Sequence, residues 1–428
     1  LGEILKIFDS GGDAKKSIFK LSGQGNNPNG PARTDDDGGI DLLKIFRSLI
    51  PDNIAINFTQ TNTVANNGVI GKPGFANFWF DFLSKEEYGP TRSYQLGFKT
   101  DPGKRVGGLL ITDQYNQTNN ITLSASLSPI IPENIRMNLT FKKIFGFNNN
   151  SQYTSGEDGT SKLNPNLSSS STDGYSIFFI GDVKEFRFEG STNSEENIKN
   201  ISSSFKEQIS SFPFPNWNLT ISGLERFPLF EEFASSVTIE NTYTSEYTEG
   251  LRTDFRGIVL TDRQVVTQAF NPLLGLNITF KEAFSGNLTA NFRLNKSVSN
   301  TLSPSSSLIQ SLNTTDWLIN VNFTKSGFDV PLFGLSLKND ISFSLAVSKN
   351  SNEPVDYRFT TQSAEPEEIP GNGSSVTTIN PSIQYSLSSK VQLQIFYKYV
   401  RTEPLNQTLT TIPRTQNQGG LNIRVSIN

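Results

Sequence analysis

What most constrains this chain is an apolar–polar alternation of period two that recurs along much of its length. In "NITLSASLSP" (120–129), Ile121, Leu123, Ala125 and Leu127 fall on one side of an extended backbone. Thr122, Ser124, Ser126 and Ser128 fall on the other. Successive strand residues point to opposite faces, so the pattern predicts β-strands with one apolar and one wet face. Two environments satisfy such a strand. The apolar side can face a protein core, or it can face lipid while the polar side lines a water-filled lumen.

The alternation returns in "IRMNLTFKK" (135–143), "NLTANFRLN" (287–295), "WLINVNFTK" (317–325) and "ISFSLAVSK" (341–349). "SIQYSLSSKVQLQIFYKY" (382–399) reads as a hairpin turning at Ser388 to Lys390. Further candidates are 54–60, 76–82, 94–100 and 217–223, and "GGLNIRVSIN" (419–428) ends the sequence in the same rhythm. Roughly fifteen to eighteen such segments occur, most near the ~9–11 residues that a tilted membrane strand needs. Between them, Asn/Ser/Gly/Pro-rich stretches at about 148–174, 190–215, 297–315, 350–377 and 402–418 read as long polar loops. "GIDLLKIFRSLI" (39–50) reads as a helical turn or two before Pro51. The expected fold is all-β: an antiparallel transmembrane β-barrel, or a sector of a very large one, with long polar loops. Residues 1–53 form a partly irregular or helical N-terminal segment, and 54–428 supply the barrel strands.

Composition fits this reading. Only 35% of residues are hydrophobic and 18% charged, yet there are 33 Phe and the net charge is only −4. An ordered chain that is so polar needs regular places for neutral polar side chains, and a wet lumen provides them. The slight acidity gives no basic field for nucleic acid. No apolar run approaches a membrane helix. The absence of an initiating Met or a signal peptide at Leu1 reads as a mature, cleaved or partial piece of something longer.

No motif reads as catalytic, metal-binding or cofactor-binding. There is no His and no Cys, which removes the usual general base and the thiolate metal ligands. Asp35, Asp36, Asp37 and Asp41 miss the calcium-loop spacing and read as a solvated turn. Glu231 and Glu232 are adjacent and point apart on an extended chain, which suits no paired-carboxylate chemistry. Sequons such as those at Asn57, Asn138 and Asn322 are expected by chance in so Asn/Thr/Ser-rich a chain. The lumen-facing set is Arg136, Asn138, Thr140, Lys142, Thr289, Asn291, Arg293, Lys398 and Arg424. The lipid-facing set is Leu139, Phe141, Leu288, Phe292, Ile319, Val321, Phe343, Leu345, Leu393 and Ile395. Aromatics near strand ends, namely Trp79, Trp217, Tyr243, Tyr247, Trp317, Tyr397 and Tyr399, read as interfacial girdles rather than core.

Certain motifs carry a resemblance. Pro228, Leu229 and Phe230 lead into a strand with Tyr243, Ser245 and Tyr247; Pro272 to Leu276 follow, then Leu294, Asn295, Lys296 and Ser297. With weaker matches in 47–61 and 97–103, these resemble the barrel of the SprA/Sov family, the giant outer-membrane translocons of the type 9 secretion system. Family members are several times longer, and Glu231–Glu232 and the non-aromatic terminus depart from their pattern. The resemblance implies the C-terminal part of a wide pore in the bacterial outer membrane that passes folded client proteins and is not an enzyme. Implied partners are the rest of the barrel, a smaller client-shuttling outer-membrane barrel, a periplasmic plug protein, the secreted clients and the lipid bilayer. A porin-type channel and a secreted β-sandwich adhesin are the alternatives.

Overall fold

The structure, a computed structural model, describes residues 51–69, 96, 106, 110–127, 134–155, 161–163, 168–178, 182–209, 212–254, 256–282, 284–332, 335–360, 365–388, 390–406 and 412–426. The helix expected at 39–50, the acidic turn at 35–41, the strand at 76–82 with Trp79, and nearly all of that at 94–100 lie outside these residues.

Seventeen strands occur among the described residues: β1 Asn53–Ala65, β2 Leu110–Leu127, β3 Ile135–Ser155, β4 Ser161–Leu163, β5 Ser168–Tyr175, β6 Ile177–Phe178, β7 Phe212–Pro213, β8 Asn216–Ile221, β9 Ala234–Thr253, β10 Val259–Phe280, β11 Asn287–Ser303, β12 Leu308–Leu332, β13 Leu335–Arg358, β14 Glu367–Pro370, β15 Ser374–Ser386, β16 Val391–Pro404 and β17 Arg414–Val425. All but β6 and β7 belong to one antiparallel sheet. Its path runs β1-β2-β3-β5-β9-β10-β11-β12-β13-β15-β16-β17, mostly a succession of hairpins. Among the described residues two α-helices accompany it, α1 Ser194–Gln208 and α2 Pro228–Glu231.

The strands run longer than the alternation shows. β12 has 25 residues and β13 has 24, a span of roughly 80 Å at ~3.3 Å per residue. Most of the stretches expected as long loops at 148–174 and 297–315 are strand, as are the two ends of 350–377 and of 402–418. Here both faces carry Ser, Thr and Asn, so no apolar period marks the strand. Backbone pairing continues all the same. The 304–307 connection is one short 3-10 turn.

The stretch 190–215, also expected as loop, contains α1. Asn193 caps it, its side-chain oxygen accepting from the N–H groups of Glu195 and Glu196. Ile198, Ile201 and Phe205 recur at helical spacing and are buried. Ile201 and Phe205 cluster with Ile177, Val183, Phe186 and Ile209 of the same excursion, and with Tyr247, Val266, Leu302, Ile309 and Tyr357 of the sheet. This excursion, residues 176–215, splits one strand in two. β5 and β8 both lie between β3 and β9, one above the other, and the chain leaves the sheet between them.

Side chains close the break. Ser176 donates its N–H to the Lys142 carbonyl, and its hydroxyl accepts from the Lys142 N–H at 3.0 Å. The Asn216 side-chain oxygen accepts from the Ser245 N–H at 2.8 Å. Lys142 and Glu246 pair across the gap at 3.5 Å.

A second irregularity lies in β10. The register shifts between Phe270 and Leu274, so Pro272, which has no N–H to give, sits where the ladder is interrupted. The stranded Leu273 carbonyl accepts from the Asn241 side chain at 2.7 Å.

Candidate functional site

Directly opposed residues of an antiparallel ladder share a face, so the register sorts every strand residue. Leu294 opposes Trp317; Phe292 opposes Leu276 and Ile319; Ala290 opposes Ile278 and Val321; Leu288 opposes Phe323. The row continues through Val347, Leu345 and Phe343 to Ile379, Pro381 and Ile383, then to Ile395 and Leu393, and on to Leu421 and Ile423. In the other direction it passes through Ile239, Ile221, Met137, Leu139 and Phe141 to Leu123 and Ile121, and ends at Ile56 and Phe58. One face therefore carries a continuous apolar belt from β1 to β17. On β11 it runs from Leu288 to Leu294, six steps or about 20 Å. No protein layer among the described residues covers the belt at Ile56, Ile395 or Ile423, which are all more than half exposed.

The opposite face is predominantly polar, with Leu318 and Phe396 among the large apolar residues that share it. It includes Ser124, Asn138, Thr140, Thr238, Asn277, Thr289, Asn291, Asn322, Ser344, Gln384, Gln394 and Asn422. Neutral cross-strand hydrogen bonds lace it: Thr314 with Asn352 at 3.0 Å, Ser344 with Ser382 at 2.7 Å, and Asn291 with Asn277. Its charges are scattered and of both signs. Lys142 pairs with Glu246, Arg293 with Glu240 at 3.6 Å, and Asp316 accepts from Asn295 at 3.0 Å. Such a face offers water many hydrogen-bond partners and carries no single-sign field.

The nine residues expected at a lumen all lie on this polar face, and the ten expected at lipid all lie on the belt face. The structure thus brings each set together and separates the two.

The aromatics divide differently from expectation. Tyr243 and Tyr247 are fully buried under the excursion and belong to packing, not to a girdle. The physical reason is the cover supplied by Ile177 and α1. The Tyr243 hydroxyl donates to the Ile177 carbonyl at 3.3 Å. Trp217 stacks on Tyr243 with centroids 4.1 Å apart and donates its indole N–H to Asn241 at 2.7 Å. Trp317 sits at the upper margin of the belt beside Lys349, and Tyr397, two residues beyond Ile395 on β16, is exposed.

Above the belt, the excursion is anchored by a polar cluster. The buried Gln264 side chain donates to the Tyr247 hydroxyl at 2.8 Å and to the Ser202 carbonyl at 3.1 Å. Lys206 pairs with Glu249 at 2.9 Å and lies over the Tyr247 ring. Burial alone draws the Lys206 pKa down, but the Glu249 hydrogen bond and charge outweigh it and hold the ammonium above its ordinary value. No sequence motif announces this cluster. The Asn193–Glu196 cap and the Ile198/Ile201/Phe205 spacing are the signals that could have located it.

The motifs behind the family resemblance take structural positions. Pro228 opens α2, Pro272 to Leu276 run from the bulge inside β10 back into the ladder, and Leu294 to Ser297 lie within β11 at the belt's upper margin. Among the described residues no helix is long and apolar enough to cross a membrane, and no group of acidic residues is placed to hold a metal ion. No protein-family model matches the sequence, and no curated protein matches it significantly.

Proposed function

We propose that the chain is one sector of a wide β-barrel wall in the bacterial outer membrane, with its polar face lining a path for folded client proteins in type 9 secretion. The observation that carries this reading is the continuous apolar belt. It is about the height of a bilayer's hydrocarbon band and is backed by a mainly polar face with scattered charges of both signs. Two outer edges support a sector rather than a finished ring: β1 pairs only with β2, and β17 only with β16, among the described residues. The sequence resemblance supplies the client class and the partners, which are the remaining wall strands, a smaller client-shuttling barrel and a periplasmic plug.

The connections also support an orientation. The two longest connections, 66–109 and 359–373, both lie at the upper ends, which also carry 156–167, 254–258, 304–307 and 405–413, whereas the lower ends carry 128–134, 222–233, 281–286, 333–334 and 387–390. Outer-membrane barrels place short turns in the periplasm and long ones outside.

One observation favours a solute channel instead. The path holds twelve positions, so β1 and β17 run antiparallel. In one register Ile54, Ile56 and Phe58 would meet Val425, Ile423 and Leu421, closing a ring too small for a folded client. The chain has no cysteine, so a single introduced pair decides. Asn57→Cys with Asn422→Cys should give no intrachain disulfide in the membrane, and each single variant should cross-link to a separate wall segment. Near-complete intrachain cross-linking would sink the translocon reading in favour of the channel.

A further inference from the structure

At the lower margin of the belt, two connections present large apolar side chains that the sheet does not use. In the segment around α2, Phe227 is 58% exposed and Leu229 is 74% exposed, and Phe233 is exposed beside them. In the 281–286 turn, Phe284 is 83% exposed. Phe284 also has φ of +55°, a left-handed conformation that a bulky residue adopts only at a cost. Nothing in the fold needs its ring in water.

The patch is continuous with the belt. Phe233 lies 5.8 Å from Phe280, the lowest belt residue of β10, and Phe284 lies 6.5 Å from Phe323, the lowest of β12's belt run. Two cations frame it. The Lys281 ammonium donates to the Glu231 carbonyl, and the Lys325 ammonium donates to the Phe284 carbonyl at 3.0 Å. Glu231, Glu232 and Glu282 offset them, so the patch has no net basic field for anionic lipid. Exposed aromatics and leucine beside framed lysines match the chemistry of the zone between acyl chains and headgroups.

We propose that these two connections form a foot that lies in the interfacial zone of the bilayer's inner leaflet, among zwitterionic headgroups, and fixes the depth and tilt of the wall. The inference rests on the membrane reading of the belt and adds a specific lipid contact to it. Because belt and foot adjoin within one ring contact, a bilayer that covers Phe280 and Phe323 necessarily brings its headgroups to Phe233 and Phe284.

The test uses single cysteines carrying a nitroxide, in the full chain purified with its wall-completing partner and placed in phosphatidylcholine vesicles. The sites are Leu229→Cys and Phe284→Cys in the foot, Ile319→Cys in the belt, and Ser203→Cys on the exposed side of α1. Accessibility is read to oxygen and to a water-soluble nickel chelate. Ile319 should be shielded from nickel and open to oxygen. The foot sites should lose nickel access several-fold on moving from detergent-free buffer-exposed controls such as Ser203, yet fall short of Ile319. Foot sites as open to nickel as Ser203, with Ile319 shielded, would overturn the foot alone. Foot sites as deep as Ile319 would also overturn it. Ile319 as open as Ser203 would overturn the membrane reading beneath it.

Discussion

An arginine at Ala290 tests the belt most directly. Ala290 sits at the middle of the β11 belt, between Leu288 and Leu294, and its ladder partners are Ile278 and Val321. Replacing alanine removes almost no apolar area, so the change measures the added charge. At a bilayer midplane that charge costs about 2–4 kcal/mol, or about 30- to 900-fold in the folded-to-unfolded ratio. Leu294→Arg lies some 14 Å higher along the strand, beside Trp317. There the charge itself should cost only about 0–1 kcal/mol. Thr289→Arg points to the polar face between Thr279 and Asn322 and should stay within about 0.5 kcal/mol of the parent. Urea titration of the vesicle-inserted assembly, followed by tryptophan fluorescence, gives all three numbers. A core buried in a water-soluble protein would also resent arginine, but not with that dependence on height. Equal penalties at Ala290 and Thr289, or a profile flat from Ala290 to Leu294, refute the reasoning.

Four further outcomes are expected. Gln264→Ala removes the donors to Tyr247 and the Ser202 carbonyl; it should loosen the excursion by about 1–3 kcal/mol, seen as faster protease nicking within 182–209 with the sheet intact. Trp217→Phe keeps a ring on Tyr243 but takes the donor from Asn241, so the urea midpoint should fall by an equivalent of about 1 kcal/mol. Deleting Leu421 to Asn428 strips the β16 partners from Val391 to Ile395 and leaves backbone groups unpaired at belt height, each costing several kcal/mol in hydrocarbon; membrane assembly should fail, and normal insertion would show that β17 does not continue the wall. Glu225 is held below the ordinary glutamate pKa by its own backbone N–H first and by the Val237 N–H next. Its contribution is complete above the ordinary value and lost as pH falls through the depressed one, so the protection factor of the Val237 amide, its exchange relative to the intrinsic rate at each pH, should fall in acid, and Glu225→Gln should abolish that pH dependence.

The sequence reveals the belt and hides the rest of the wall, for one physical reason. Period-two alternation is visible only where one face must be apolar, as in Leu288 to Leu294 or Ile341 to Val347. Above the belt, "SVSN" (297–300) and "SLNTTD" (311–316) are as fully strand as those segments, yet both of their faces carry mostly polar residues, Asn300 and Ser311 among them even where they are buried. Their pairing is decided by continuation of the hairpin, which no local composition records. The burial of Tyr243 and Tyr247 was equally hidden, because their cover comes from residues 176–215, distant in sequence from β9. The helix was legible in principle. Asn193 with Glu196 and the Ile198/Ile201/Phe205 stripe are local signals, overlooked within a polar stretch. The polar face was legible residue by residue, since whatever opposes the belt on each strand is fixed by parity.

The interruption between β5 and β8 bears on how the sheet assembles. From β9 to β13, each strand can zip onto its predecessor through a connection of a few residues, so the contacts are local and quickly made. The fourth position of the path is different. β8 must return to the same groove that β5 left, after a detour of some forty residues, and β9 must match both halves at once. Closing that loop costs entropy before any ladder contact repays it. The detour also has to fold α1 and seat it on Tyr247 and Leu302 before the groove is sealed. The C-terminal hairpins should therefore be protected first in pulse-labelled hydrogen exchange, and the amides of β3, β5, β8 and the facing side of β9 last, making this one interrupted strand the kinetic latch of the whole sheet.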